Sequence, residues 1–333
     1  MKTYSCRQKP IRVYGLPEFE KTGELRRLPD EVIKEVQSLA HLGRRAMGGR
    51  VRFRTDSPKI TVNVKLETLA PDRAMSIYSC QSVYVFEGCG EDSRYLGIAF
   101  PVNYEQKEYS ATFNKSEGME DITVWLPRNE LISELSVSIE DDAEICEPTP
   151  YRYEKPIVFY GSSITECGSA SSVFNGYNSI VASHLDSNFV NLGFSGSAKG
   201  ELAMAEYIKS LDMSIFVYDY DHNAPNVEHL ESTHETFFLR IREANPDLPV
   251  VMMTRPAVVY GEDEKKRREV VRKTYNDAVN RGDKNVYFID GETFFGEKDR
   301  YLCTVDKIHP NDLGFYRMAC VVEPVIRGIL ERG

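Results

Sequence analysis

No stretch of this sequence stays apolar for anything near the roughly 20 residues that a bilayer-crossing helix needs. Its opening residues, Met1-Lys2-Thr3-Tyr4-Ser5-Cys6-Arg7, hold no apolar segment of signal-peptide length. The expectation is a cytoplasmic protein without a membrane partner. Cysteine is sparse and scattered: Cys6, Cys80, Cys89, Cys146, Cys167, Cys303 and Cys320 are odd in number and form no C-x-x-C pair. A disulfide framework and a cysteine-built zinc site are both excluded on that ground. Basic side chains are outnumbered, 41 against 51 acidic ones, and a formal charge of -10 repels a polyphosphate backbone. Nucleic acid is therefore not an expected partner. A Walker loop, a G-x-G-x-x-G turn and an internal repeat are also missing, and His234 fails the H-E-x-x-H zinc pattern because Phe238 stands where the second ligand belongs.

What is present is an ordinary globular composition, 41% apolar and 28% charged, in 333 residues. That length exceeds the size at which one hydrophobic core stops growing, so two domains are expected. From about 50 to 140 the pattern alternates with period two, as in Ile60, Val62, Val64 and Leu66 and again in Leu135, Val137 and Ile139. Further strands are expected at 51–55, 82–87, 109–113 and 122–126, which together read as an antiparallel sandwich. Before them, Val32, Ile33, Val36 and Leu39 predict a short helix over 29–39.

The acidic, proline-interrupted stretch 144–150 marks a boundary, giving a β-sandwich domain over 1–150 and a second domain over 151–333. Beyond it, continuous apolar runs at 157–160, 189–192, 215–218, 250–253 and 286–289 each precede a stretch of helical length. Buried parallel strands need both faces apolar and a helical crossover, so this half reads as α/β with a doubly wound parallel sheet. Ligands of such sheets bind at the carboxyl edges of the strands.

Four segments at those edges carry chemistry. Gly161-Ser162-Ser163 presents small hydroxyls after the first strand, either to a ligand or as turn and cap residues. The glycines of 193–200 expose backbone N–H groups that suit an oxyanion or a phosphate, or simply make a turn. Asn223 can donate its amide to a developing negative charge, or cap the helix that follows. In Asp306-Lys307-Ile308-His309-Pro310 a carboxylate three residues from an imidazole can fix its tautomer and stabilise the imidazolium.

Taken in order, Ser163, Gly196, Asn223 and the Asp306/His309 pair resemble the blocks of the SGNH (GDSL-type) hydrolases, over about residues 155–331. The nucleophile block is Gly161-Ser162-Ser163, with Ser162 where the family has Asp, and the Gly that normally shortly precedes the block's Asn is missing from Asp219-Tyr220-Asp221-His222. The N-terminal half, with 16–19 and 48–57, is similar to the β domain, jelly-roll-like, that precedes some members similar to carbohydrate esterases.

The resemblance implies a three-layer α/β/α hydrolase domain and a serine esterase acting through an acyl-enzyme. Ser163 is then the nucleophile, His309 the base and Asp306 its orienter. Ser163, Gly196 and Asn223 form the oxyanion hole, and no metal or organic cofactor is required. Short acyl groups on small-molecule or carbohydrate esters are the implied substrates. Arg255, at the end of the fourth strand, is a further candidate for substrate contact, and Ser195 the next nucleophile should Ser163 fail. Two rival readings are a catalytically silent glycan-binding protein and a nucleotide-binding loop at 193–200.

Overall fold

The computed structural model describes residues 1–70, 72 and 75–332. The alternating half forms two antiparallel sheets. One orders its strands Lys2–Ser5, Ile132–Ile139, Lys59–Leu66 and Glu108–Asn114; the other runs Ile145–Cys146, Arg50–Thr55, Glu120–Trp125, Val83–Glu87 and Arg94–Ala99, with Arg12–Tyr14 also on Arg50–Thr55. The residues that alternate inward meet between the sheets: Ile60, Val62 and Val64 with Val51, Phe53, Val85, Ile122, Val124, Leu135 and Val137. A period-two pattern has this consequence, since a strand's side chains leave it on opposite faces.

Two local expectations change. The strand Arg94–Ala99 was not expected, because Gly97 interrupts its pattern; φ there is +151°, and an added Cβ would lie 3.0 Å from the Phe113 ring. Glycine thus lets this edge strand lie close against the Phe113 ring, which belongs to the other sheet. The helix expected over 29–39 is broken into Asp30–Glu35 and a tighter turn, Gln37–Leu39. Its apolar stripe survives the break, since a helix this short is held by the surface it packs on rather than by its own hydrogen bonds.

That surface belongs to the second half. Leu28, Val32, Ile33, Val36 and Leu39 share a core with Tyr160, Leu192, Phe194, Ile208 and Tyr218. The division near 150 therefore separates strands, while this early segment shares a core with later ones.

The five continuous apolar runs become Tyr153–Gly161, Ser187–Gly193, Ile215–Asp219, Val250–Met253 and Val286–Ile289, all parallel, with spatial order second, first, third, fourth, fifth. Helices Leu202–Lys209, Val227–Ala244 and Glu262–Asn280 cover one face through Met204, Leu230, Phe237 and Val271. Tyr177–His184 and Asp312–Leu330 cover the other through Val181, Phe315, Met318 and Val322. This is the doubly wound sheet, and its order reverses at the first strand, the switch point where such folds open a crevice. Among the described residues no helix is long and apolar enough to cross a membrane.

The two halves are joined by buried cations. Arg50 sends Nη1 to the Phe189 carbonyl at 3.1 Å and Nη2 to the Asn188 amide oxygen at 2.7 Å, with its guanidinium over the Phe189 ring.

Candidate active site

Each of the first three parallel strands ends at one side of the crevice. After the first, the chain turns at once: Glu166 N–H donates to Ser162 O, Cys167 N–H to Ile164 O and Gly168 N–H to Ser163 O, all between 2.9 and 3.0 Å. This tight turn lifts Ser163 above the sheet edge, although the residue is only 4% exposed. After the second strand, Gly193 lies so close to the same turn that a Cβ would fall 2.1 Å from the Glu166 nitrogen. Only glycine allows the two loops to touch. Gly196, three residues on, has φ +65°, a left-handed conformation that favours glycine, and open space where a side chain would be. Among the described residues neither the Ser163 nor the Gly196 N–H has a protein acceptor.

After the third strand, Asn223 does not cap the following helix; Asn226 does, its side chain accepting the His229 N–H. Asn223 instead donates Nδ2 to the Phe194 carbonyl at 3.0 Å, which leaves its second amide hydrogen for the crevice.

The Asp306-to-His309 segment is a turn shaped by one left-handed residue, Lys307, with φ +75°. That reversal lets Asp306 Oδ1 accept the Ile308 and His309 N–H groups at 3.0 and 2.8 Å while Oδ2 faces the ring. His309 Nδ1 lies 2.7 Å from Asp306 Oδ2, and Nε2 lies 2.9 Å from Ser163 Oγ. Burial draws the Asp306 carboxyl upward, but the His309 N–H, the ring and the Ile308 N–H outweigh it and hold the group below its ordinary range. The carboxylate therefore stays charged into acid. A hydroxyl on an imidazole that a carboxylate orients is the arrangement in which a weak nucleophile is activated by a neighbouring base.

Ser163, Gly196, Asn223, Asp306 and His309 are thus gathered at one edge. Arg255, at the end of the fourth strand, is buried; its Nη2 donates to Glu264 on the helix Glu262–Asn280, while among the described residues its Nε and Nη1 have no hydrogen-bond partner. Residues that sequence reasoning missed are Glu166, Arg27 and Arg128, a buried ionic cluster below the two loops. Their partners lie far apart along the chain, and no local signal pairs them. Among the described residues no group of three or more His, Cys, Asp or Glu is placed to hold a metal ion.

His222 sits half-buried beside this edge. Burial, then the charges of Arg255 and His309, lower its pKa to about 4. A histidine whose folded pKa lies below the unfolded value of about 6.5 stabilises the fold above that value and loses the contribution as pH falls toward the folded one. The shift corresponds to about 3 kcal/mol. Between pH 7 and pH 4, His222→Gln is expected to lose about 3 kcal/mol less stability than the parent chain in urea unfolding; equal losses in both would rule the account out.

Comparison with known proteins follows the same lines. Residues 154–327 match the GDSL-like lipase/acylhydrolase family, and residues 2–145 match the N-terminal domain of SGNH hydrolase-type esterases. No curated protein matches the chain. Among solved structures, a protein of Bacteroides ovatus described as a GDSL-like lipase is similar with a TM-score of 0.88 at 22% identity, covering 99% of this chain and 98% of that one. A salicylyl-acyltransferase from a tetracycline biosynthetic pathway gives 0.81 at 19% identity over 99% and 98%. An acetyl xylan esterase from Butyrivibrio proteoclasticus gives 0.65 at 14% identity over 99% and 100%. With the family match extending over more than half of its length, the chain belongs to the GDSL-like lipase/acylhydrolase family and is an SGNH-type, ester-hydrolysing enzyme.

Proposed function

We propose that the enzyme is a serine esterase that removes short acyl groups, acetyl above all, from carbohydrate esters through an acyl-enzyme. One observation carries the reading: an unbroken hydrogen-bond chain from Asp306 through His309 to Ser163, beside two backbone N–H groups that have no protein acceptor among the described residues.

The steps follow from the geometry. Ser163 Oγ attacks the ester carbonyl while His309 Nε2, 2.9 Å away, takes its proton. Asp306 keeps the other ring proton on Nδ1 and stabilises the imidazolium. The carbonyl oxygen becomes an anion facing the Ser163 and Gly196 N–H groups and the free Asn223 amide hydrogen. Such donors act on charge that develops only in the transition state. Collapse expels the alcohol, protonated by His309. Water, activated by the same imidazole, then releases the acid and restores Ser163.

Small acyl groups are supported by the enclosure of Ser163, and sugars by the likeness to an acetyl xylan esterase over nearly the whole chain. The likeness to an acyltransferase favours a second outcome for the same intermediate, capture by an acceptor alcohol instead of water. A product assay decides between them. Purified enzyme is expected to release acetate from acetylated xylo-oligosaccharides faster than it releases butyrate or longer acids from matched aryl esters, and a fluorophosphonate probe is expected to label Ser163. Absence of labelling and of acid release removes the esterase reading and leaves a silent glycan binder. Acyl transfer to added alcohols that outruns hydrolysis assigns the chain to the second outcome.

A further inference from the structure

Below the nucleophile turn and the glycine loop lies a carboxylate with no exposure at all. Glu166, three residues after Ser163, receives Arg27 Nη2 on Oε1 at 3.3 Å and Arg128 Nη2 on Oε2 at 3.0 Å, and all three side chains are essentially inaccessible. A buried ion pair is weak evidence for stability, because desolvation costs about as much as the attraction returns. The charge of Arg45 also acts on Glu166, and that of the buried Glu130 on Arg45, so the stabilising worth of the cluster does not follow from the pairing alone. The cluster therefore calls for another explanation.

Its remaining bonds supply one. Glu166 Oε2 also accepts the Ser195 N–H at 2.9 Å, the residue immediately before Gly196. Arg27 Nη1 donates to the Asn191 and Gly193 carbonyls at 3.2 and 2.6 Å, Nη2 reaches the Leu42 carbonyl at 2.7 Å, and the guanidinium lies 4.5 Å from the centre of the Phe194 ring. Asn223 holds the same loop through the Phe194 carbonyl. Residues 191–195 are thus gripped at almost every backbone group, and one of those grips originates in the turn that carries Ser163.

We infer that Glu166, seated between Arg27 and Arg128, is a positioning residue for the oxyanion pocket: by accepting the Ser195 N–H it pins the Phe194–Ser195 peptide and so sets the Gly196 N–H, one peptide further on, at a fixed offset from the Ser163 N–H. The N-terminal half then has a part in catalysis, since it supplies both arginines. This inference rests on the acyl-transfer reading above. An oxyanion pocket works only while its donors keep their spacing, and displacement by about 1 Å costs up to 100-fold in rate.

Glu166→Asp tests this directly. It preserves the charge that neutralises the two arginines and draws the carboxylate back by one methylene, about 1.5 Å. Sites are counted by complete reaction with a fluorophosphonate, so that rates are expressed per competent Ser163. With p-nitrophenyl acetate, kcat per site is expected to fall roughly 10- to 100-fold while KM changes by less than about two-fold. The inhibition constant of phenylboronic acid, whose tetrahedral adduct places an oxygen where the oxyanion sits, is expected to rise in step. Arg128→Met, which removes one of the two grips, is expected to show the same signature more weakly, and it carries the test if Glu166→Asp does not fold. Wild-type kcat and boronate affinity in the counted sites of a folded variant mean that the cluster is structural only, and overturn the inference. Failure of the wild-type chain to react with the fluorophosphonate overturns the acyl-transfer reading itself, and this one with it.

Discussion

Ser163→Ala is expected to lower kcat/KM on aryl acetates by about a million-fold, to within reach of the uncatalysed rate, with the fold unchanged. The magnitude is that of losing the nucleophile in a serine protease, where the triad acts as one unit. The geometry here supports the same order. Ser163 Oγ is the group on His309 Nε2, and among the described residues no other side chain is bonded to that nitrogen. Without the hydroxyl the imidazole has no proton to accept and the ester carbonyl no covalent partner. The backbone donors remain, so a small residue of transition-state binding persists. Stability should hardly change, since the lost hydrogen bond is one between neutral groups and contributes about 1 kcal/mol. Steady-state kinetics and a urea unfolding curve check both halves of this statement. Retention of most of the activity would move the nucleophile elsewhere, and Ser195 is the next hydroxyl in the crevice. Its N–H is held by Glu166, so it sits on a rigid loop, but among the described residues no imidazole is bonded to its hydroxyl.

Much of this arrangement was legible in the sequence because its signals are local. Ile60, Val62, Val64 and Leu66 announce one buried face of a strand without reference to anything distant, and all four are buried. The apolar runs at 157–160 and 215–218 were legible for the same reason: a strand covered on both sides has no polar face to show. Asp306 and His309 lie within one turn, so their pairing needed only the intervening bend. The parts that stayed hidden are long-range. Glu166 stands in Ile164-Thr165-Glu166-Cys167, where nothing nearby marks it as buried, and its cations come from 139 and 38 residues away. Arg255 illustrates the converse. Its place at a strand end suggested a ligand contact, and nothing in that local sequence showed that Glu264, nine residues on, pairs with its Nη2 once the helix folds back. Gly97 hid a strand because glycine carries no side chain with which to mark a face.

Asp306→Asn is expected to reduce kcat/KM by about 10,000-fold, the size of loss that the same change produces in a serine protease. The reason lies in which oxygen does what. Asp306 Oδ1 accepts two backbone N–H groups, from Ile308 and His309, at 3.0 and 2.8 Å, while Oδ2 meets His309 Nδ1. An amide introduced there has only one oxygen. Placing its NH2 against two N–H donors sets like against like, so the oxygen keeps the Oδ1 position and the NH2 turns to the ring. His309 Nδ1 must then accept, which moves the single ring proton of the neutral imidazole to Nε2. Nε2 faces Ser163 Oγ, and a protonated nitrogen cannot take a proton from it. The enzyme would retain its nucleophile, its oxyanion donors and its turn, and lose its base through the tautomer alone. Two measurements separate this from misfolding: unfolding by urea should remain close to that of the parent chain, and fluorophosphonate labelling of Ser163 should slow by a factor comparable to the loss in kcat/KM. A loss smaller than about ten-fold would mean that Asp306 does not orient the base, because a ring free to choose its tautomer has no need of a particular carboxylate.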